Sequence, residues 1–86
     1  MMTKGIIVFN HYEHEWRLWV GHQDYWLQQG YCFDLLIKSQ YFKAFLEKDF
    51  DWFVTLGEEV KLVLHIKEVY KVKVKLEHYM KIEDPF

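Results

Sequence analysis

The sequence predicts an all-β, mainly antiparallel fold: a small SH3-like or related barrel of six to seven short strands, with a two-layer sandwich as the alternative. Apolar residues recur with period two along most of the chain. Turn residues divide the runs at intervals of roughly 8 to 12 residues. At 86 residues, residues 1–86 form one domain. A chain this short gains by curling its sheet, which shortens edges that invite pairing.

The elements follow in order. Gly5 to Asn10 is a β-branched and aromatic run, and Asn10 to His14 is polar enough to turn. Glu15 to Val20 sets Trp16, Leu18 and Val20 on one face and Glu15, Arg17 and Trp19 on the other, so the two runs form a hairpin. Gly21 to Asp24 reads as a loop, Tyr25-Trp26-Leu27 as a brief apolar patch, and Gln28-Gln29-Gly30 as a turn. Tyr31 to Ile37 alternates Tyr31, Phe33, Leu35 and Ile37 against Cys32, Asp34 and Leu36. After the hairpin-length link Lys38-Ser39-Gln40, Tyr41 to Glu47 groups Phe42, Ala44 and Leu46 opposite Tyr41, Lys43 and Phe45. Residues 41–51 also contain good helix formers, so a helix competes there, and aromatic density favours strand. Trp52 to Leu56 is the next strand, and Val60 to Lys67 aligns Val60, Leu62, Leu64 and Ile66. Tyr70, Val72, Val74 and Leu76 then alternate with Lys71, Lys73 and Lys75.

The order of these pieces resembles a group of very short proteins of unknown function from phages and mobile elements of Gram-positive bacteria. The resembling features are Lys4-Gly5 with its aliphatic run to Asn10, Trp16-Arg17-Leu18, Leu27-x-x-Gly30, and Phe33-Asp34-Leu35-Leu36-Ile37. Phe42-x-Ala44-x-Leu46-Glu47 and Trp52-Phe53-Val54-x-Leu56 complete them, so the likeness spans residues 4–56. Members of that group tend to carry His-Cys where this chain has Gln28-Gln29. The resemblance implies a mobile-element setting and brings no established activity.

Composition excludes several classes. Hydrophobic residues make up 51% and aromatics 20%, which is outside the disordered range. A single cysteine, Cys32, cannot form an intramolecular disulfide and fits a reducing compartment. No apolar run approaches a membrane span, and no stretch after Met1 suits a signal peptide, so the expected location is cytoplasmic.

Sites of chemistry are sparse, and the expectation is no enzyme, no metal and no cofactor. His11 and His14 sit in a polar turn, and although His14-Glu15 begins a zinc-protease motif, position 18 is leucine. His22, His65 and His78 are scattered. Cys32 lies mid-strand, where a buried, unreactive thiol is the expected outcome. Ser39 is the only serine and lacks a nucleophile-elbow context. Glu47, Asp49, Asp51, Glu58 and Glu59 cluster at turns, where carboxylates are simply solvated.

Two surface features carry more. Residues 60–86 hold 6 basic and 4 acidic side chains, against 5 and 9 in residues 1–59. Lys71, Lys73 and Lys75, with Lys61 and Lys67 from the preceding run, form a lysine stripe that either guards a terminal edge strand or holds single-stranded nucleic acid. The second feature is an apolar surplus on both faces of several strands: Trp16 with Trp19, Phe42 with Phe45, and Trp52 with Phe53. One small interior cannot hide it all, and exposed apolar patches mark partner sites. Trp19, Phe45, Phe53, Trp16 and Trp52 are therefore the candidate interface residues of a non-catalytic interaction module, its partner a second copy or a host protein. Nucleic-acid binding is the alternative function.

Overall fold

The computed structural model describes residues 1–57 and 59–83. Its strands are β1 (Thr3–Asn10), β2 (Glu15–Val20), β3 (Gln23–Trp26), β4 (Cys32–Ile37), β5 (Gln40–Lys48), β6 (Trp52–Leu56), β7 (Val60–Val63) and β8 (Tyr70–Val74). A 3₁₀ turn, Leu76–His78, follows. The all-β, antiparallel class holds, and the stretch from Tyr41 is strand through Lys48.

Three details differ from expectation. The described residues form eight strands, because Gln23–Trp26, which spans the expected loop end and the apolar patch, pairs with β2 in the register Leu18↔Tyr25. Val60 to Lys67 is strand only to Val63. Leu64 N–H still donates to the Trp52 carbonyl, and then Glu68 N–H donates to the His65 carbonyl and turns the chain. Finally, the sheet is not closed by hydrogen bonds into a barrel. It runs open in the order β3-β2-β1-β8-β4-β5-β6-β7.

Topology explains that order. β1-β2-β3 and β4-β5-β6-β7 are two antiparallel meanders, and β8 returns between β1 and β4 to join them. The last strand is thus the central one. The expectation that its lysines guard a sheet edge is overturned by this position, since both sides of β8 are paired.

The hairpins are built from local chemistry. Asn10 Oδ1 accepts hydrogen bonds from the N–H groups of Tyr12 and Glu13, each at 2.9 Å, and so closes the β1–β2 turn. His14 leaves that turn in the left-handed region at φ 55°. Lys38 takes the same region in the two-residue β4–β5 turn.

One face of the sheet enters a single core containing Ile7, Phe9, Trp16, Leu18, Tyr25, Phe33, Leu35, Ala44, Leu46, Val54, Val72 and Val74. Among the described residues no helix covers this face, yet its side chains from β1, β2, β3, β4, β5, β6 and β8 are buried in one cluster, so the sheet curls around them. The shortest dimension of the molecule, 20 Å, accommodates two layers about 10 Å apart. Trp16 sits at the centre, with Phe9 and Tyr70 edge-on at 5.5 and 5.8 Å between ring centroids.

The segment after β8 covers one end of the open sheet. Trp26 N–H donates to the Met80 carbonyl and Ile82 N–H to the Asp24 carbonyl, so residues 80–82 pair along the outer side of β3. Gln23 Nε2 adds a bond to the Ile82 carbonyl at 3.1 Å. The Tyr79 hydroxyl donates to the Cys32 carbonyl at 3.0 Å, and burial raises its pKa above the usual tyrosine range. A folded-state pKa above the unfolded value of about 10 gives stability that is complete below that pH and lost as pH rises past it. Alkaline titration followed by circular dichroism is therefore expected to show unfolding above about pH 10. In Tyr79→Phe this alkaline slope should be shallower, at a cost of about 1 kcal/mol at neutral pH for the lost hydrogen bond.

Candidate functional site

Outward-facing side chains of an antiparallel sheet are placed by register, and register here sorts the predicted residues into separate groups. Trp16 is wholly buried, and Trp52 packs against the core from the inner face of β6. Both leave the candidate interface, because residues 52, 54 and 56 of β6, like 16 and 18 of β2, point inward by strand alternation. Trp19, Phe45 and Phe53 do point outward, as their phase predicts. They do not form one patch: β2 carries Trp19, while Phe45 and Phe53 are on β5 and β6 beyond the three intervening strands.

The first surface lies at the β5–β6–β7 end. Phe45 faces Thr55, Glu47 faces Phe53, and Phe53 faces Val63. Lys61 Nζ lies 5.0 Å from the Phe53 ring centroid and Lys43 Nζ 5.8 Å from that of Phe45, which covers the rings in part without burying them. Phe45 remains 39% exposed, Val60 61%, Val63 49% and Phe50, at the β5–β6 turn, 97%. The Thr55 hydroxyl donates to the Glu47 carboxylate between the two phenylalanines.

The same end holds the open edge of the sheet. The Leu64-to-Trp52 hydrogen bond sets the phase of the β6–β7 ladder, so Val60, Leu62 and Leu64 turn their peptide groups toward β6. Lys61 and Val63 turn theirs away. Among the described residues, nothing hydrogen-bonds that outer side.

The second surface is the middle of the outer face. Lys73 of β8 faces Lys4 of β1 on one side and Asp34 of β4 on the other, and Asp34 faces Lys43 of β5. Lys71 faces Ile6. Lys4 and Lys43 were not legible as members of this group, since they come from strands remote in sequence. Lys61 and Lys67 are not part of it: the former lies on the β7 edge and the latter in the β7–β8 loop. A groove of about 530 Å³ runs across this surface, lined by Lys4, Ile6, Trp19, Leu36, Tyr41 and Lys71. Lys73 Nζ sits 4.1 Å from the Tyr41 ring centroid. Among the described residues, the one salt bridge joins Arg17 to Asp24 at 3.4 Å, so no carboxylate reaches these lysines at ion-pair distance.

Cys32 is exposed, contrary to the expected buried thiol, because strand alternation places it on the outer face opposite Phe45. His11 and His14 stand exposed in the β1–β2 turn. Among the described residues, no three His, Cys, Asp or Glu side chains gather as a metal site would require. No helix of the described residues is long and apolar enough to cross a membrane.

Neither a curated protein nor a solved structure matches the chain. A family model does, over residues 5–74, and so reaches past the likeness read from residues 4–56 to take in β7 and β8. Those residues include β1 from Gly5 onward and all of β2 to β8, and the chain belongs to the DUF5348 family, a domain of unknown function.

Proposed function

We propose that this chain acts by association and not by catalysis, pairing with a second copy of itself through the β7 edge and the adjoining Phe53 corner. The observation that carries this reading is the unequal treatment of the two sheet edges. The outer side of β3 is paired with residues 80–82, whereas β7 presents the peptide groups of Lys61 and Val63 beside exposed Val60 and Val63. An unpaired edge flanked by apolar side chains is a template for strand addition.

Identical strands meet antiparallel about a two-fold axis, and one register uses both outward residues: Lys61 of one copy beside Val63 of the other. Pairing Lys61 with its own symmetry mate would set like charges directly opposite, which is unfavourable. The favoured register also brings Leu62 beside its mate, extending the core from one copy into the next. Four residues of edge are too few to recruit further strands, so the assembly closes as a pair. Its setting is that of an accessory protein of a phage or mobile element, a context supported by the sequence resemblance alone.

The test is Val63→Pro. Proline tolerates an edge strand where its missing N–H faced solvent, so the fold should survive while the pairing loses a donor. Sedimentation at micromolar concentration is expected to show a dimer for the native chain and a monomer for the variant, with the same circular dichroism spectrum. A native monomer would rule out self-pairing, and a dimeric Val63→Pro would move the interface away from β7.

A further inference from the structure

We propose that the groove in the middle of the outer face is a binding site for single-stranded nucleic acid. It is separate from the β7 edge, and neither proposal requires the other. Lys4 of β1 and Lys71 of β8 line it, and Lys73 of β8 and Lys43 of β5 stand beside it in the cross-strand row Lys4–Lys73–Asp34–Lys43 of the same face. Lys4 and Lys73 are direct cross-strand partners, a like-charge arrangement that a sheet carries at a cost unless an anion relieves it. Asp34 is the one acidic residue registered between them, and its carboxylate makes no ion pair with any. The chain as a whole has net charge −2, so this local excess of positive charge is a property of the face and not of the composition.

Charge alone would suit any polyanion. The aromatic residues narrow the choice. Trp19 lies at one end of the groove and Tyr41 at the other, with Ile6 and Leu36 between them as an apolar floor. Both rings are partly exposed, and Lys73 already lies against the ring of Tyr41. A surface of lysines bracketed by stacking rings matches the two chemistries of an unpaired strand: phosphates for the ammonium groups and base faces for the aromatics. A duplex keeps its base faces stacked inside and offers nothing to Trp19 and Tyr41. Anionic lipid headgroups would draw the same lysines, and interfacial Trp and Tyr suit a headgroup layer, so vesicle capture is a competing outcome of the test below.

No arginine lines the groove. Arg17, the chain's single arginine, is held by Asp24 and lies over the Trp26 ring at 5.3 Å, away from the groove. Sequence-tolerant binding by stacking and point charges is what remains.

Fluorescence anisotropy with a labelled oligothymidylate of about twelve nucleotides, titrated across salt concentrations, tests the site. Binding should be tight at low salt and weaken steeply, and a duplex of equal length should bind at least about tenfold more weakly, having no free base to stack. Lys4→Ser with Lys71→Ser should reduce the logarithmic salt slope by about 1.4, at about 0.7 per single-strand phosphate contact. Tyr41→Ala should lower affinity about tenfold with the slope unchanged, and Tyr41→Phe should restore it, because the ring and not the hydroxyl stacks. No binding at low salt, equal binding of duplex, or an unchanged slope in the double lysine variant would overturn the proposal. So would capture by phosphatidylserine vesicles that the oligonucleotide fails to displace.

Discussion

Trp16→Ala is expected to cost about 3 to 5 kcal/mol, enough to leave much of the chain unfolded at physiological temperature. Trp16 is fully buried and is the largest side chain in a core that a chain of this size can barely afford to deplete. Its removal opens a cavity beneath Phe9 and Tyr70, whose edge-on packing depends on the indole. Trp16→Phe is expected to cost much less. The buried indole Nε1 has no hydrogen-bond partner among the described residues, and leaving such a donor unpaired costs about 1 to 3 kcal/mol. Phenylalanine removes that donor and keeps most of the volume. Trp19→Ser, on the opposite face of the same strand, should change stability by less than about 1 kcal/mol. Urea denaturation of the three variants decides the order. If Trp19→Ser proved as damaging as Trp16→Ala, the assignment of faces in β2 would be wrong.

That assignment was legible in the sequence because strand alternation is local. Trp16 and Leu18 against Arg17 and Trp19, or Val72 and Val74 against Lys71 and Lys73, need only the period of two to be sorted. Which alternating face meets which was not legible. Lys71 and Lys73 looked like an edge guard because β8 ends the strand sequence, yet the strand inserts between β1 and β4, and non-local pairing leaves no trace in local pattern. The same loss of information split Trp19 from Phe45 and Phe53: all three had the right phase, and strand order alone sets them apart. Residues 64–67 depart from their hydropathy pattern for the opposite reason. Leu64 and Ile66 keep period two, but the Tyr70 hydroxyl accepts the His65 N–H and ends the extended run, a side-chain effect that hydropathy does not register. β3 leaves little signal in the sequence because it is only four residues long and begins with Gln23 and Asp24, which have loop character.

Gly5→Val should also destabilise severely, for a reason unrelated to the usual freedom of glycine. Gly5 lies within β1 opposite Val72, so its backbone is ordinary strand. What it lacks is room: a Cβ there would approach the Trp19 carbonyl oxygen to 2.7 Å, Leu18 Cδ1 to 3.1 Å and Val20 Cγ2 to 3.2 Å. The nearest of these is a backbone atom, so relief requires β1 and β2 to separate and cannot come from a rotamer change. Overpacking of a close-packed core costs about 1 to 3 kcal/mol, occasionally more, and a branched side chain against backbone belongs at or above the top of that range. Any gain from replacing a flexible glycine within a strand, about 0.5 to 1 kcal/mol, is too small to compensate. Gly21 supplies the control, since a Cβ at that position would have nothing within 4 Å and the residue instead occupies the left-handed region at φ 60°. Asparagine tolerates that region and carries a Cβ, so Gly21→Asn should be nearly neutral while Gly5→Asn is as damaging as Gly5→Ala. The position also reaches the outer surface, because Gly5 lines the groove next to Trp19 and lets β1 approach β2 closely enough to set that ring at the groove's end. A Gly5→Ala variant rescued by mild stabilising conditions should therefore show altered Trp19 fluorescence as well as a lower denaturant midpoint. Wild-type stability in Gly5→Val would mean that β1 and β2 are not packed this closely in solution.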